Sequence, residues 1–107
     1  MSIPETTPSE VHARRSRGEP FVLLDVREPW ELELCAVDWA KAIPMNDVPD
    51  RLAELDPGTP LVVMCHHGGR SLRVAQFLAQ RGYRQVANLT GGIDAWREQI
   101  DPSMRPY

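Results

Sequence analysis

The chain has 107 residues, of which 25% are charged and 42% hydrophobic, values typical of one globular domain over 1–107. Its net charge of −3 argues against a nucleic acid partner, because such partners usually require a basic protein face. No apolar run approaches the roughly 20 residues that cross a bilayer, and the first residues lack a signal-peptide pattern, so we expect a cytoplasmic monomer without a membrane partner.

The first half of the chain alternates helical and strand patterns. Thr7 is a capping residue type and Pro8 suits the first helical position, which together predict a helix that runs to about Arg17. The apolar run over 21–26 predicts a strand that is buried on both faces. The patterns that follow predict a helical turn over 28–34, a short strand over 40–43 and a helix over 47–55.

The second half contains the clearest strand, the apolar run over 61–64. Apolar residues recur at helical spacing over 71–81, which predicts a helix after a short loop. A strand over 85–89, a helix over 93–100 and an irregular tail over 101–107 complete the chain. Strands that alternate with helices predict βαβ units and an α/β fold with a mostly parallel sheet.

The strongest chemical signal is Cys65, which follows the best strand directly. In open α/β sheets, ligands bind at the carboxyl ends of the strands. Gly68 and Gly69 allow successive backbone N–H groups to turn toward one point, and the next helix adds its positive end. Such surroundings lower the pKa of a cysteine from about 8.5 and hold an anionic substrate against the thiolate.

The side chains near Cys65 strengthen this interpretation over that of a small buried core residue. Arg70 adds a fixed charge, and His66 and His67 add hydrogen-bond donors. Adjacent histidines rarely bind one ion, and no acidic or cysteine partner completes a set at ligand spacing, so we predict neither a metal nor a cofactor. Cys35 lacks such surroundings and is interpreted as structural or incidental.

Three segments of the sequence resemble the rhodanese-like (sulfurtransferase) family. They are the D-V-R-E…E segment over 25–31, the six-residue loop that begins at Cys65, and the V-x-x-L-x-G-G-x-x-x-W segment over 86–96. The resemblance extends over about residues 7–98. It implies a rhodanese-like fold, with about five mostly parallel strands and helices on both faces of the sheet. It also implies that Cys65 takes up sulfur as a persulfide.

The resemblance assigns roles to further residues. The backbone of 66–70 would surround the persulfide, and the side chain of Arg70 would face an anion such as thiosulfate. Arg27 would line the pocket or form a structural ion pair with Asp25, and we favour the ion pair. The stretch over 35–44 departs from the family pattern because it has other residues where glycines are usual, so this loop is expected to take another path.

The predicted function is transfer of a sulfane sulfur from an anionic donor such as thiosulfate to a thiol or cyanide. A cysteine phosphatase or an arsenate reductase on the same fold stays open as an alternative. Phosphatase loops have five residues between cysteine and arginine, whereas four lie between Cys65 and Arg70. A second alternative is a persulfide carrier or binding module for a protein partner.

Overall fold

A parallel sheet forms the centre of the fold in the computed structural model, which describes residues 2–107. The order of its five strands is β1-β5-β4-β2-β3, and neighbouring strands are parallel throughout. In chain order they are β1 (Glu5–Thr6), β2 (Val22–Asp25), β3 (Lys41–Ala42), β4 (Leu61–Met64) and β5 (Val86–Leu89). The predicted α/β class is therefore confirmed, and the sheet is fully parallel rather than mostly parallel.

Helices cover both faces of this sheet, as predicted. The chain forms α1 (Pro8–Ser16), α2 (Pro29–Leu34), a 3₁₀ helix (Met45–Glu54), α3 (Gly69–Gln80) and α4 (Gly92–Gln99). Helices α1 and α4 share one hydrophobic cluster, and α3 and the 3₁₀ helix share the other. Among residues 2–107, no helix is long and apolar enough to cross a membrane.

The strands divide the core into two layers because successive side chains point to opposite faces of a sheet. Leu23 and Val62 pack with α1 and α4, whereas Leu24 and Val63 pack on the side of α3. All four side chains are almost completely buried. Strand β4 lies at the centre of the sheet and is buried along its whole length, so its carboxyl end is firmly held.

Two elements differ from their prediction. The sequence analysis missed β1, whose two residues have no apolar pattern; the strand is formed by pairing with β5, where the Asn88 N–H donates to the Pro4 carbonyl at 2.9 Å. The helix predicted over 47–55 begins at Met45 and has 3₁₀ geometry. Pro49 lies inside it and has no N–H to donate, which opposes a regular α-helix.

The tail over 101–107 is irregular, as predicted, but it is packed against the domain. Met104 and Tyr107 contact the hydrophobic cluster that contains α1 and α4. Trp39, in the stretch that departs from the family pattern, packs edge-on against Phe21 and Trp96. The tail and this stretch therefore both contribute to the structure of the domain.

Candidate active site

Cys65 lies at the carboxyl end of β4, at the start of a tight loop that leads into α3. The helix begins at Gly69, two residues before the predicted start, so Arg70 lies in its first turn. Gly68 precedes the helix with a φ of +117°, a conformation that glycine adopts without strain. The predicted order of strand, loop and helix at Cys65 is therefore present, with a shorter loop.

The Cys65 Sγ receives hydrogen bonds from the surrounding loop although the residue is only 1% exposed. The Gly68 N–H donates to it at 3.1 Å, and the Ser71 hydroxyl, which shares its one proton between Sγ and the Asn88 side-chain oxygen, lies 3.3 Å away. Burial by itself raises the pKa of this thiol, but the Ser71 hydroxyl and backbone N–H groups of the loop stabilise the thiolate, and the net effect is a lowered pKa. These donors prepare Cys65 to act as a nucleophile.

Substitution of Ser71 by alanine tests this description of the thiolate. Loss of the hydroxyl donor is expected to raise the pKa of Cys65, so the rate of alkylation by iodoacetamide at pH 7 should fall several-fold. The measurement is a pH–rate profile with the Cys65 peptide quantified separately from the Cys35 peptide. An unchanged profile would mean that the backbone donors alone stabilise the thiolate.

Asn88 holds the loop from the neighbouring strand β5. Its side-chain oxygen lies 2.6 Å from the Ser71 hydroxyl, and its amide nitrogen donates to the Gly68 carbonyl at 3.1 Å. The Glu5 carboxylate of β1 accepts from the same amide nitrogen at 3.1 Å. Ser71 and Asn88 are thus site residues that the sequence analysis did not select. Asn88 could have been selected from the sequence because it is a polar residue within an otherwise apolar strand.

The start of α4 fixes the loop from the other side. The N–H groups of Ile93 and Asp94 donate to the carbonyls of Cys65 and His66, at 2.9 and 3.2 Å. This close approach of two backbones requires Gly92, where φ is +59° and a β-carbon would overlap the loop carbonyls. The glycine pair at the start of α4 therefore allows the loop to be held as well as the helix to begin.

Arg70 is bound by Glu31 in the structure. Its two terminal nitrogens donate to the two carboxylate oxygens at 2.7 and 2.8 Å, and the side chain of Glu31 is only 3% exposed. The hydrogen bond from Arg70 lowers the pKa of Glu31 to about 2 against the effect of burial, and the Glu28 N–H adds to the shift. The predicted contact of Arg70 with a substrate anion stays a prediction, and the structure adds a carboxylate partner that the sequence did not indicate.

The Glu31 pair predicts a dependence of stability on pH. A carboxyl group with a pKa of about 2 in the folded protein and 4.5 in the unfolded chain stabilises fully above pH 4.5, and this contribution disappears as the pH falls toward 2. The contribution amounts to about 3 kcal/mol. In Glu31→Gln, the free energy of unfolding measured in urea should fall much less between pH 5 and pH 2.5 than it does in the original protein. Glu54→Gln, at an exposed ion pair, is the matched control and should change the pH dependence of the free energy of unfolding much less.

Arg27 forms the buried ion pair with Asp25 that the sequence interpretation favoured. Its guanidinium donates to both Asp25 oxygens, at 3.0 and 2.8 Å, and to the Cys35 carbonyl at 2.9 Å. The side chain has no exposed surface. Its donors are directed to protein acceptors in this structure, and the alternative, in which Arg27 lines the substrate pocket, stays a prediction.

The two loop histidines stack on each other. The ring centroids of His66 and His67 are 3.8 Å apart, and Tyr107 stacks on the other face of His66 at 3.9 Å. Burial lowers the pKa of His66, and the neighbouring His67 lowers it further. Within residues 2–107, no group of three or more histidine, cysteine, aspartate or glutamate side chains is arranged to hold a metal ion.

A separate cavity of about 660 Å³ lies at the amino ends of β4 and β5, away from the Cys65 loop. Its lining is mainly apolar and includes Ile3, Tyr83 and Val86, with Arg14 and Arg84 as its charged residues. Among the described residues that line it there is no cysteine, histidine or carboxylate side chain.

Comparison with known proteins agrees with the fold. The family described as "Rhodanese-like domain" matches residues 7–99. The chain belongs to this family. A "Sulfurtransferase" of Allochromatium vinosum is 32% identical over 104 residues, which cover 97% of each chain. The solved structure of SSP1007 from Staphylococcus saprophyticus superposes with a TM-score of 0.83 at 30% identity, covering 92% of this chain and 97% of that one.

Some relatives are much longer than this chain. The "Rhodanese-like/PpiC domain-containing protein 12, chloroplastic" of Arabidopsis thaliana is 39% identical over 89 residues. The chain spans between 20% and 30% of the length of that protein and of two maize relatives. At family level, the relatives named sulfurtransferases support a rhodanese-type enzyme.

Proposed function

We propose that the chain is a sulfurtransferase that carries a sulfane sulfur as a persulfide on Cys65. The observation that carries this proposal is the buried Sγ with the Gly68 N–H at 3.1 Å and the Ser71 hydroxyl at 3.3 Å. These donors favour a thiolate, and the same donors would stabilise the charge on the terminal sulfur of a persulfide. The first step needs no metal or organic cofactor.

The proposed reaction has two half-reactions. The Cys65 thiolate attacks the outer sulfur of thiosulfate or another sulfane donor, the donor's S–S bond breaks, and sulfite leaves with the bonding electron pair. A thiolate acceptor, or cyanide in an assay, then attacks the terminal sulfur of the persulfide. The bond to Sγ breaks and Cys65 leaves as the thiolate, so the scheme is ping-pong and involves no net oxidation of the protein.

Phosphate ester hydrolysis is less well supported by the same site. A phosphatase of this kind would use the loop arginine on the phosphoryl group, but the Arg70 guanidinium is bound in bidentate fashion by Glu31. It would also need a protonated acid for the leaving group. Glu31 is held ionised, because the hydrogen bond from Arg70 lowers its pKa to about 2.

A protein acceptor is the second candidate, and one observation favours it. Trp30 is 59% exposed, the only large hydrophobic side chain of the described residues with such exposure, and it packs edge-on against Tyr107. Tyr107 in turn stacks on His66 of the loop. An apolar side chain this close to the site would suit the surface around a protein thiol.

The direct test is the intact mass of the reduced protein after brief incubation with thiosulfate. The expected result is a gain of one sulfur atom that cyanide removes as thiocyanate. Peptide mapping should locate the sulfur on Cys65, with Cys35 as the internal comparison. Absence of the gain with both thiosulfate and an alkyl persulfide, or sulfur found only on Cys35, would contradict the proposal.

A further inference from the structure

Tyr107 connects the two ion pairs beside the active-site loop, Arg27 with Asp25 and Arg70 with Glu31. Its hydroxyl accepts a hydrogen bond from Arg27 Nη1 at 3.0 Å and donates one to Glu31 Oε1 at 2.8 Å. Its ring stacks on His66, with the centroids 3.9 Å apart and the planes within 8°. A single side chain from the tail therefore contacts the loop, the partner of Arg70 and the buried Arg27.

Arg27 follows the strand that lies beside the strand of Cys65, and Tyr107 contacts both Arg27 and the loop residue His66. Strands β2 and β4 are hydrogen-bonded neighbours, and Asp25 is in register with Met64, the residue before Cys65. Neighbouring strands are about 4.8 Å apart, so the chain that follows β2 leaves the sheet next to the loop. The Arg27 guanidinium lies 5.8 Å from the centre of the Tyr107 ring and has no exposed surface.

The side-chain charges beside the loop are balanced. Asp25 compensates Arg27, and Glu31 compensates Arg70. The terminal nitrogen Nη1 of Arg27 is the donor that Tyr107 occupies, with only longer contacts to the Glu31 carbonyl at 3.5 Å and the Cys35 Sγ at 4.0 Å. An incoming anion therefore meets the backbone N–H groups of the loop, while Tyr107 keeps it from the guanidinium of Arg27.

We propose that Tyr107 sets the charge preference of the Cys65 site by covering Arg27. With Tyr107 in place, sulfur donors with a single negative charge, such as alkyl persulfides, are favoured over doubly charged thiosulfate. The preference among sulfur donors rests on the proposed sulfur transfer, but the effect of Tyr107 on which anions the Cys65 site prefers does not. Removal of Tyr107 would free the Nη1 donor of Arg27, which Asp25 does not occupy, and a dianion gains more from such a charge-assisted donor than a monoanion does.

The test compares alkylation of Cys65 by anionic iodoacetate with alkylation by neutral iodoacetamide, which needs no sulfur-transfer activity. In Tyr107→Ala the ratio of the two rate constants is expected to rise about fivefold. Tyr107→Phe removes the hydroxyl that occupies Arg27 Nη1 but keeps the ring beside it, so its ratio should lie between those of the original protein and Tyr107→Ala. Tyr83→Phe removes a buried hydroxyl that shares its proton between the carbonyl oxygens of Leu52 and Leu55, both 3.1 Å away, and it serves as the matched control.

A second variant separates Arg27 from His66, whose ring also loses its cover in Tyr107→Ala. The raised ratio should persist in Tyr107→Ala/His66→Gln, since the charge is that of Arg27. If Tyr107→Ala does not unfold cooperatively, Tyr107→Val replaces it. An unchanged ratio in the folded variant, or loss of the increase in the double variant, would overturn the role of Tyr107.

Turnover then tests the substrate class. In Tyr107→Ala, the kcat/KM for thiosulfate relative to that for an alkyl persulfide should rise by a similar factor of about five. If the original protein takes up no sulfur, the proposed function fails while the alkylation ratio still decides the role of Tyr107. If it takes up sulfur and both ratios are unchanged, the inference about Tyr107 fails alone.

Discussion

Cys65→Ser is expected to abolish sulfur uptake, with a loss in transfer rate on the order of 10³-fold or more, as for removal of a nucleophile in other covalent catalysts. A hydroxyl is not ionised at neutral pH, and its oxygen forms no stable bond to a sulfane sulfur. The Gly68 N–H and the Ser71 hydroxyl still find an acceptor in serine, so the loop should keep its conformation. The measurements are thiocyanate formation and the intact mass after exposure to thiosulfate.

Cys35→Ser is the matched control for this experiment. Cys35 is partly buried against the hydrophobic cluster of α1 and α4, and its Sγ lies 4.0 Å from Arg27 Nη1, so the substitution should change the transfer rate less than about threefold. Thermal unfolding of both variants checks that the fold persists. Full transfer activity in Cys65→Ser, or equal losses in the two variants, would contradict the assignment of Cys65 as the sulfur carrier.

The central strands and the reactive loop were predictable because their signals are local. The apolar run before Cys65 and the glycines after it specify a buried strand, a tight loop and a helix within a short stretch of chain. Strand β1 was missed because its two residues become a strand only through pairing with β5. The shape of the 3₁₀ helix depends on Pro49 and on packing against the core, which outweigh helical periodicity there.

The residues around the thiolate were harder to predict because their partners come from distant parts of the chain. Arg70 binds Glu31 from 39 residues away, and Arg27 binds Tyr107 from 80 residues away. Sequence pattern gives the charge of each side chain but not which opposite charge the topology brings beside it. The resemblance to the family therefore indicated Arg70 at the site, and only the structure shows that the carboxylate of Glu31 compensates its charge.

The buried ion pairs also give the site a rigid frame. A buried charge is costly unless it is paired, and both Arg27 and Glu31 are almost fully buried with several hydrogen bonds each. Removal of one partner leaves the other uncompensated in the same network. Substitutions at these positions should therefore change stability and activity together, whereas substitutions at Cys65 should separate the two.

Gly92→Ala is expected to destabilise the protein by about 4 kcal/mol and to disrupt the Cys65 loop, because the substitution combines overpacking with backbone strain. An added β-carbon would lie 2.7 Å from the carbonyl carbon of His66 and would also overlap the carbonyl oxygens of Cys65 and His66. These atoms are backbone, so no side-chain rotation relieves the overlap. The measurements are urea unfolding and the rate of Cys65 alkylation.

Gly18→Ala separates the two causes of that effect. Gly18 also has a positive φ, +74°, but a β-carbon there would meet no heavy atom within 4 Å. Its substitution should cost only about 1 kcal/mol and leave the alkylation rate unchanged. If Gly92→Ala costs no more than Gly18→Ala, the close approach of α4 to the loop is not required for the fold, and the loop must be held mainly by Asn88 and Ser71.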